Sequence, residues 1–318
     1  MKGTMDLISE PLYPNIKPFE WELALFKSKP VRRLKHLAHF GAGALVSPVV
    51  HSRYEHTIGV WKLVSLFFPD AINLRVAAIL HDIGHLPFSH AVEVPLGFDH
   101  HQLTRNYIQE QEITHILESV EIESKTIIDL LDMPTVITGK GKVLGLDHLD
   151  SFFRDTYMSG QLTKLPGSIL ANLTCTAEGI ETDRETGCEL MTLILADHQL
   201  FLSPYMVAVD RLLAEAVKAH WLAIDKVDKY QFARMTDADL IFMLQHSPSD
   251  KARQLIDTIL FNPAQIKISK QASVNSYPIS VRKIYNKLPR VNTTCLNEAN
   301  RMEEKLAGLA FDEQYVSV

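Results

Sequence analysis

The sequence predicts a mainly α-helical protein that carries a small β-hairpin and an irregular C-terminal arm. Apolar residues recur at helical spacing in three separated stretches, at 58–67, 103–117 and 205–223. Only residues 172–178 and 188–195 have the composition of strands, and a polar turn separates them. We therefore expect one short hairpin on an otherwise helical body.

The composition is that of a globular protein with ample material for a large core. The chain has 318 residues, 46% of them apolar, and a formal net charge of -6. This charge does not favour nucleic acid as a partner, although a local basic pocket for a small phosphate ester is compatible with it. No run of about 18 apolar residues is present, so we expect no membrane span.

The cysteines and the N-terminus favour a reduced, cytoplasmic location. Cys175, Cys188 and Cys295 are odd in number and show no CxxC spacing, so we expect neither a disulfide framework nor a zinc ribbon. Residues 1–14 contain acidic residues and prolines where a signal peptide would have a basic head and an apolar core.

Four segments are expected along the chain. They are an N-terminal surface segment at 1–29, a helical core at 30–160, a helical continuation with the hairpin at 161–262, and a C-terminal arm or small subdomain at 263–318. Residues 21–27 can form a short helix, and Pro30 suits the first turn of a second one.

The next predicted helix begins near Arg53, and His56 lies on its first turn. Ile58, Trp61 and Val64 supply its apolar face. Beyond it, we expect helices at 100–131, 205–223, 237–246 and 250–261. The polar final fifty residues, interrupted by Pro278 and Pro289, indicate an extended arm.

Two imidazoles and a carboxylate lie within five residues at His81, Asp82 and His85, directly after an apolar run. If residues 73–85 are helical, the two histidines share one face and Asp82 lies beside them. A mixed histidine and aspartate set favours iron, manganese, zinc or a similar ion. The structural alternative is a buried core histidine and an Asp82 paired with an arginine.

A second acidic face is predicted on a helix that contains Asp147. Asp150 is its neighbour on that helix, and Asp155 falls on the other side. Such a face is either solvated surface or the source of a fourth metal ligand.

Together, His56, the His81–Asp82 pair and Asp147 form the order H…HD…D, with 24 and then 64 intervening residues. The segments at 53–60, 81–90 and 147–155 resemble the HD-domain metal-dependent phosphohydrolase superfamily, in its branch of deoxynucleoside triphosphate triphosphohydrolases. The resemblance extends from about residue 30 to residue 155.

The resemblance implies an all-α HD-domain core with one divalent transition metal (Fe, Mn, Zn, Ni or Co), and Mg²⁺ accompanying the substrate phosphates. The implied metal ligands are His56, His81, Asp82 and Asp147. The implied catalytic residues on the phosphate side are His85, His90, His100 and Glu93, with Glu93 orienting His90. The implied substrate-binding positions are Arg53, His39, His148, Ser151 and Asp155, of which His39, His148 and Ser151 differ in residue type from that branch.

These residues predict water attack on a phosphorus atom, with His90 as general acid or base. The substrate is then a nucleotide or another small phosphate ester, and deoxynucleoside triphosphates are the first to test. The alternatives are a phosphomonoesterase of the 5'-nucleotidase kind, a cyclic phosphodiesterase, or a nucleotide-sensing module without turnover. By analogy with the branch, we expect a homo-oligomer.

Overall fold

The computed structural model describes residues 8–281, 284–291 and 296–318, and it confirms the prediction of a mainly helical protein. The helices up to the middle of the chain are α1 (Glu20–Lys27), α2 (Lys29–Arg33), α3 (Arg53–Phe67), α4 (Ile72–Leu80), α5 (Glu93–Leu96), α6 (His100–Ile108), α7 (Gln111–Glu118), α8 (Ser124–Asp132) and α9 (Leu146–Met158). The later helices are α10 (Pro166–Leu170), α11 (Arg184–Phe201), α12 (Pro204–Leu222), α13 (Lys229–Arg234), α14 (Asp237–Gln245), α15 (Asp250–Phe261) and α16 (Leu296–Ala307).

Two small sheets accompany the helices. Their strands are β1 (Leu173–Thr176), β2 (Gly179–Thr182), β3 (Lys267–Ser269), β4 (Tyr277–Ile279), β5 (Arg290–Val291) and β6 (Gln314–Ser317). β1 and β2 form an antiparallel hairpin, and β5 pairs in parallel with β2. β6 lies between β3 and β4 and is antiparallel to both.

Helix α3 is at the centre of the first core, where it packs against α4 and α9. Its start is fixed by a capping box, because the Ser52 amide donates to Glu55 Oε2 at 2.7 Å and Ser52 Oγ accepts from the Glu55 amide. Trp61 is fully buried and donates from its indole nitrogen to Glu22 Oε1 at 2.7 Å. These contacts hold the first turn of α3, with His56, against the neighbouring helices.

A second core forms where α12 packs along α15 and buries Val209, Leu212 and Ile256. Two polar links join this core to the loops around α4. Arg33 donates to the carbonyl oxygens of His85 and Met235. Asp237 accepts from the backbone amides of Ala38 and Phe88, each at 2.6 Å.

The helix predicted at 73–85 ends earlier than expected, at Leu80. The backbone then forms a turn, in which the amides of Ile83 and His85 bond the carbonyls three residues before them. His81 and His85 therefore do not share a helix face, and that expectation is wrong. The helix predicted at 100–131 is likewise divided into α6, α7 and α8.

The hairpin exists, but its second strand was predicted in the wrong place. β2 ends at Thr182, and residues 188–195 belong to α11. The reason is local, because Asp183 caps α11 by accepting from the Thr186 amide at 2.9 Å. The C-terminal residues are also less irregular than expected, since they supply β3 to β6 and α16.

The N-terminal segment, expected on the surface, contributes Ile8, Leu12 and Tyr13 to the core. Glu10 pairs there with the buried Lys62, at 3.0 Å. Within the described ranges, we find no helix with both the length and the apolar character needed to cross a membrane.

Candidate metal and phosphate site

Four side chains from three parts of the chain converge at one point, and we name them the metal group: His56, His81, Asp82 and Asp147. His56 lies on the first turn of α3, His81 and Asp82 directly follow α4, and Asp147 lies on the first turn of α9. His56 Nε2 is 3.4 Å from His81 Nε2 and 3.0 Å from Asp147 Oδ1. The Asp82 carboxylate lies 3.5 Å from His81 Nε2 and 3.9 Å from His56 Nε2.

Both histidines of this group direct Nε2 to the shared centre because their other ring nitrogen is engaged elsewhere. His81 Nδ1 donates to the carbonyl oxygen of Ala78 at 2.9 Å. His56 Nδ1 donates to Asp150 Oδ2 at 2.8 Å. Histidines that ligate metals characteristically donate their second nitrogen to a carbonyl or carboxylate. The donor set of two imidazoles and two carboxylates therefore fits a divalent transition metal.

Asp150 is fully buried, so the alternative of a solvated surface does not hold for this part of α9. Its carboxylate also accepts from Arg154 Nη2 at 2.9 Å, and Arg154 in turn lies 3.3 Å from Glu10. Sequence reasoning missed Asp150 as a site residue. The only local signal was its position three residues after Asp147, which places both on adjoining parts of the helix surface.

The charges in this group depend on one another. Burial alone would lower the pKa of His56, but its hydrogen bonds to Asp147 and Asp150 outweigh burial and raise this pKa to about 10. Burial opposes ionisation of Asp147, yet the imidazoles of His56, His148 and His81 hold its pKa well below the usual range. The carboxylates therefore stay ionised at neutral pH.

Arg53 lines the same cavity, but its guanidinium is held by protein groups. Nη1 lies 2.5 Å from Asp82 Oδ2, and Nε donates to Ser89 Oγ at 2.5 Å. The structural alternative considered for Asp82, an arginine partner, is thus present alongside the metal-type arrangement. The burial of Arg53 limits its reach towards a phosphate.

Beside the metal group, three imidazoles form a cluster around one carboxylate. Glu93 accepts from His90 Nδ1 at 2.6 Å and from His100 Nδ1 at 2.5 Å. The rings of His85 and His100 are stacked with centroids 4.3 Å apart. Burial, the Arg53 charge and His100 keep the pKa of His85 well below its ordinary value, so its ring is neutral. We name these four residues the histidine array.

The predicted substrate-binding residues line two other parts of the cavity. The His39 ring is 4.7 Å from that of His56, and its Nδ1 is 3.5 Å from Asp155 Oδ1. His51, which sequence reasoning missed, donates to the same oxygen at 2.6 Å. His148 lies 5.0 Å from the ring of Tyr285, measured between centroids. The Ser151 hydroxyl bonds the carbonyl oxygen of Asp147 at 3.3 Å, a contact within the helix.

One cavity of about 700 Å³ is lined by His56, His81, Asp82 and Asp147, by the three imidazoles of the histidine array, and by Arg53, His39, His148, Ser151 and Asp155. This volume is within the range of pockets that enclose small organic ligands. Other parts of the wall are formed by residues far along the chain, among them Asp197 and Phe201 of α11, Arg211 of α12, and Tyr285. No local pattern in the sequence marks those residues, because only the packing of α11 and α12 and the C-terminal segment brings them to the site.

Residues 53–136 match the family model of the HD domain, a range that includes His56, His81 and Asp82. The chain is 27% identical over 261 residues to the uncharacterized protein MJ1154 of Methanocaldococcus jannaschii, covering 76% of this chain and 56% of that protein. It is 27% identical over 112 residues to human deoxynucleoside triphosphate triphosphohydrolase SAMHD1, covering 30% of this chain and 18% of the relative. The chain thus spans only about half of MJ1154 and less of SAMHD1.

A solved structure of a phosphohydrolase from Bacteroides thetaiotaomicron has the same fold. Its TM-score is 0.70 at 16% identity, and the match covers 96% of this chain and 97% of the other. The structural match shows a shared fold, and the family model identifies residues 53–136 of this chain as an HD domain.

Proposed function

We propose that this protein is a metal-dependent phosphohydrolase that cleaves a phosphate ester or anhydride of a nucleotide. The observation that carries the proposal is the convergence of His56, His81, Asp82 and Asp147 at the wall of a cavity that the three imidazoles of the histidine array also line. A metal-type donor set beside several imidazoles suits the hydrolysis of a charged phosphate.

The same four side chains would hold one divalent transition metal. When bound, such an ion polarises a phosphoryl oxygen and lowers the pKa of a coordinated water. The contacts of His81 with Ala78 and of His56 with Asp150 keep both rings in the orientation that a ligand needs.

The histidine array supplies the proton chemistry of the proposed reaction. Glu93 accepts from Nδ1 of both His90 and His100 and so orients both rings. His90 is the more accessible of the two, with 33% of its side chain exposed. We assign His90 as the general acid that gives its proton to the leaving oxygen as the bond from phosphorus to that oxygen breaks. His85 and His100 stabilise charge on the phosphate oxygens.

The basic side chains that line the cavity indicate how many phosphates the substrate carries. Among the described residues, each basic side chain at the wall already contacts an acceptor. The contacts are Arg53 with Asp82, Arg105 with Asp132, Arg211 with Glu215, and Lys287 with the carbonyl oxygen of Gly141. This pairing favours a substrate with fewer negative charges than a triphosphate. A nucleoside monophosphate is therefore a second candidate beside the deoxynucleoside triphosphate that SAMHD1 suggests.

A product assay on a nucleotide panel tests the proposal. Release of inorganic triphosphate identifies triphosphohydrolase activity, and release of inorganic phosphate identifies a phosphomonoesterase. His81→Ala and Asp82→Ala should each abolish hydrolysis and reduce metal content, while the exposed His115→Ala serves as the matched control. Nucleotide binding without any turnover by metal-loaded protein would overturn the enzyme proposal in favour of a sensing module.

A further inference from the structure

The chain between His85 and His90 passes through two residues in the left-handed conformation. Phe88 has a φ of 53° and Ser89 a φ of 55°, and both residues are buried. The other two non-glycine residues with positive φ in the described chain are exposed. This conformation brings a β-carbon close to the following carbonyl oxygen, so it costs free energy for residues other than glycine. Such a backbone persists only where its surroundings hold it. We name residues 85–90 the array turn.

The array turn sets the distance between two imidazoles of the histidine array. The rings of His85 and His90 lie at its two ends, with centroids 4.8 Å apart and ring planes 82° from parallel. His90 is the general acid assigned above, and it directly follows the second left-handed residue. A change of the backbone at Phe88 or Ser89 would therefore displace the His90 ring relative to His85 and to the substrate phosphate of the proposed reaction.

A carboxylate of α14 bonds the middle of the array turn. The amide of Phe88 donates to Asp237 Oδ1 and the amide of Ala38 donates to Asp237 Oδ2, each at 2.6 Å. The hydroxyl of Ser89 donates to the carbonyl oxygen of Ala38 at 2.8 Å. Hydrogen bonds to an ionised carboxylate are stronger than those between neutral groups. Both left-handed residues are thus fixed to Ala38, one through Asp237 and the other directly.

A guanidinium bonds the start of the same turn. Arg33 Nη1 donates to the carbonyl oxygen of His85 at 2.8 Å. Arg33 Nη2 donates to the carbonyl oxygens of Ala233 and Met235, at 2.8 Å and 2.7 Å, where α13 ends. Arg33 therefore holds the first residue of the array turn to the chain segment that leads into Asp237. Neither Arg33 nor Asp237 lines the cavity.

We infer that Arg33 and Asp237 are positioning residues for the proposed hydrolysis. They hold the array turn from the side away from the cavity, so that the His90 ring stays beside the leaving oxygen, and they do not touch the substrate. A displacement of about 1 Å at a reacting group is enough to lower a rate about 10²-fold. The inference rests on the phosphohydrolase activity proposed above and adds the residues on which its general acid depends.

Attachment of α14 to the first core is the competing explanation for these contacts. A link that only stabilises the fold lowers the free energy of unfolding when it is removed, and it leaves the turnover of folded molecules unchanged. A positioning link lowers the turnover of molecules that are fully folded, and it does so most where the reaction needs the general acid. The two explanations therefore differ in kinetics.

The test measures two phosphate esters with different leaving groups, in wild-type protein and in Asp237→Asn. The first is the preferred nucleotide of the panel, whose leaving alkoxide needs a proton. The second is p-nitrophenyl phosphate, whose phenolate leaves without one. The amide of Asp237→Asn has one oxygen, so one of the two backbone amides loses its acceptor. We expect kcat to fall about 10²-fold on the nucleotide and at most about threefold on p-nitrophenyl phosphate, with KM and metal content unchanged.

Asp239→Asn is the matched control, because Asp239 lies on the same first turn of α14 and is exposed. Its carboxylate bonds Thr236. This variant should match the wild type on both esters. Arg33→Lys keeps the charge but loses the planar fork, so we expect the same selective loss, about tenfold on the nucleotide. Arg33→Lys decides the question if Asp237→Asn does not fold.

Equal losses on the two esters in Asp237→Asn, or a nucleotide rate equal to that of Asp239→Asn, would overturn the inference. If only the nucleotide is hydrolysed, a loss in kcat at constant KM supports the inference, and a loss confined to KM overturns it. If wild-type protein hydrolyses neither ester, the proposed function fails. Hydrogen exchange of the Phe88 amide then tests the contact itself. Faster exchange in Asp237→Asn than in Asp239→Asn supports the hold on the array turn, and equal exchange overturns it.

Discussion

His56 Nδ1 donates to Asp150 Oδ2 across 2.8 Å, and through this contact the metal group is anchored to a buried ion pair. Asp150 is itself held by Arg154, which also reaches Glu10 in the N-terminal segment. The orientation of His56 therefore depends on residues that cannot touch a metal or substrate. A carboxylate in this position fixes the imidazole tautomer and increases the basicity of the ligand nitrogen.

We expect Asp150→Asn to weaken metal affinity by about 10–100-fold, because the amide removes the negative charge behind His56. Competition against a chelator of known affinity measures the change. Asp129→Asn, at an exposed position of α8, is the control. Equal affinities for the two variants would show that Asp150 has only a structural role.

Gly59 gives Asp150 the space that it occupies. A Cβ at this position would overlap Asp150 Oδ1 and Arg154 Nη2. We predict that Gly59→Ala lowers the free energy of unfolding by about 1–3 kcal/mol, through overpacking of a buried ion pair. Urea unfolding measures this change in the free energy of unfolding. The control is Gly167→Ala, where an added Cβ meets no atom within 4 Å, and it should not be destabilised. A similar stability for both variants would contradict the prediction.

Glu93→Gln tests the histidine array separately from the metal group. The amide cannot accept from His90 and His100 as the carboxylate does, so protonated rings lose their counter-charge. We predict a fall in kcat of about 10²-fold or more, with metal content unchanged. The exposed Glu118→Gln is the control. Loss of metal in Glu93→Gln, or full activity, would contradict the assigned role.

Asp237 gives the protein a pH-dependent stability. Burial raises the pKa of its carboxyl to about 6, despite hydrogen bonds from the amides of Ala38 and Phe88 and the charge of Arg33. The folded protein therefore binds a proton here more tightly than the unfolded chain, whose carboxyl has a pKa of about 3.9. The stabilisation from protonation is complete below the pKa of the carboxyl in the unfolded chain. It is lost as the pH rises through the folded-state pKa of about 6.

Urea unfolding from pH 4 to pH 8 compares the wild type with Asp237→Asn. The stability of the wild type relative to this variant should decrease from pH 4 to pH 6 and stay constant above about pH 7. A difference that does not vary with pH would mean that the carboxyl is not perturbed by burial.

The structure brings together the four residues that the sequence singled out as metal ligands, His56, His81, Asp82 and Asp147, and their role as ligands stays a prediction. The sequence did not reveal how these residues are held. Asp150 looks like one more solvated acid on α9, and only the packing of the N-terminal segment buries it with Arg154. The end of α4 at Leu80 was also missed, since the apolar and histidine spacing is compatible with a longer helix.

The part of the cavity wall that comes from α11, α12 and the C-terminal segment was harder still to predict. Asp197 lies within α11, part of which has the composition of a strand, and it reaches the cavity wall only through the packing of α11 against α9. Tyr285 reaches His148 from the C-terminal region, which was expected to be an extended arm or a small subdomain. Non-local contacts of this kind complete the cavity wall, whereas local patterns indicated the metal chemistry.

Metal analysis of purified wild-type and Asp147→Ala protein, coupled to nucleotide hydrolysis by the same samples, tests the central claim most directly. We predict about one divalent ion per chain in the wild type, and loss of both the ion and the hydrolysis in the variant. Undiminished hydrolysis by the variant, or by wild-type protein stripped of metal, would contradict a metal site built from His56, His81, Asp82 and Asp147.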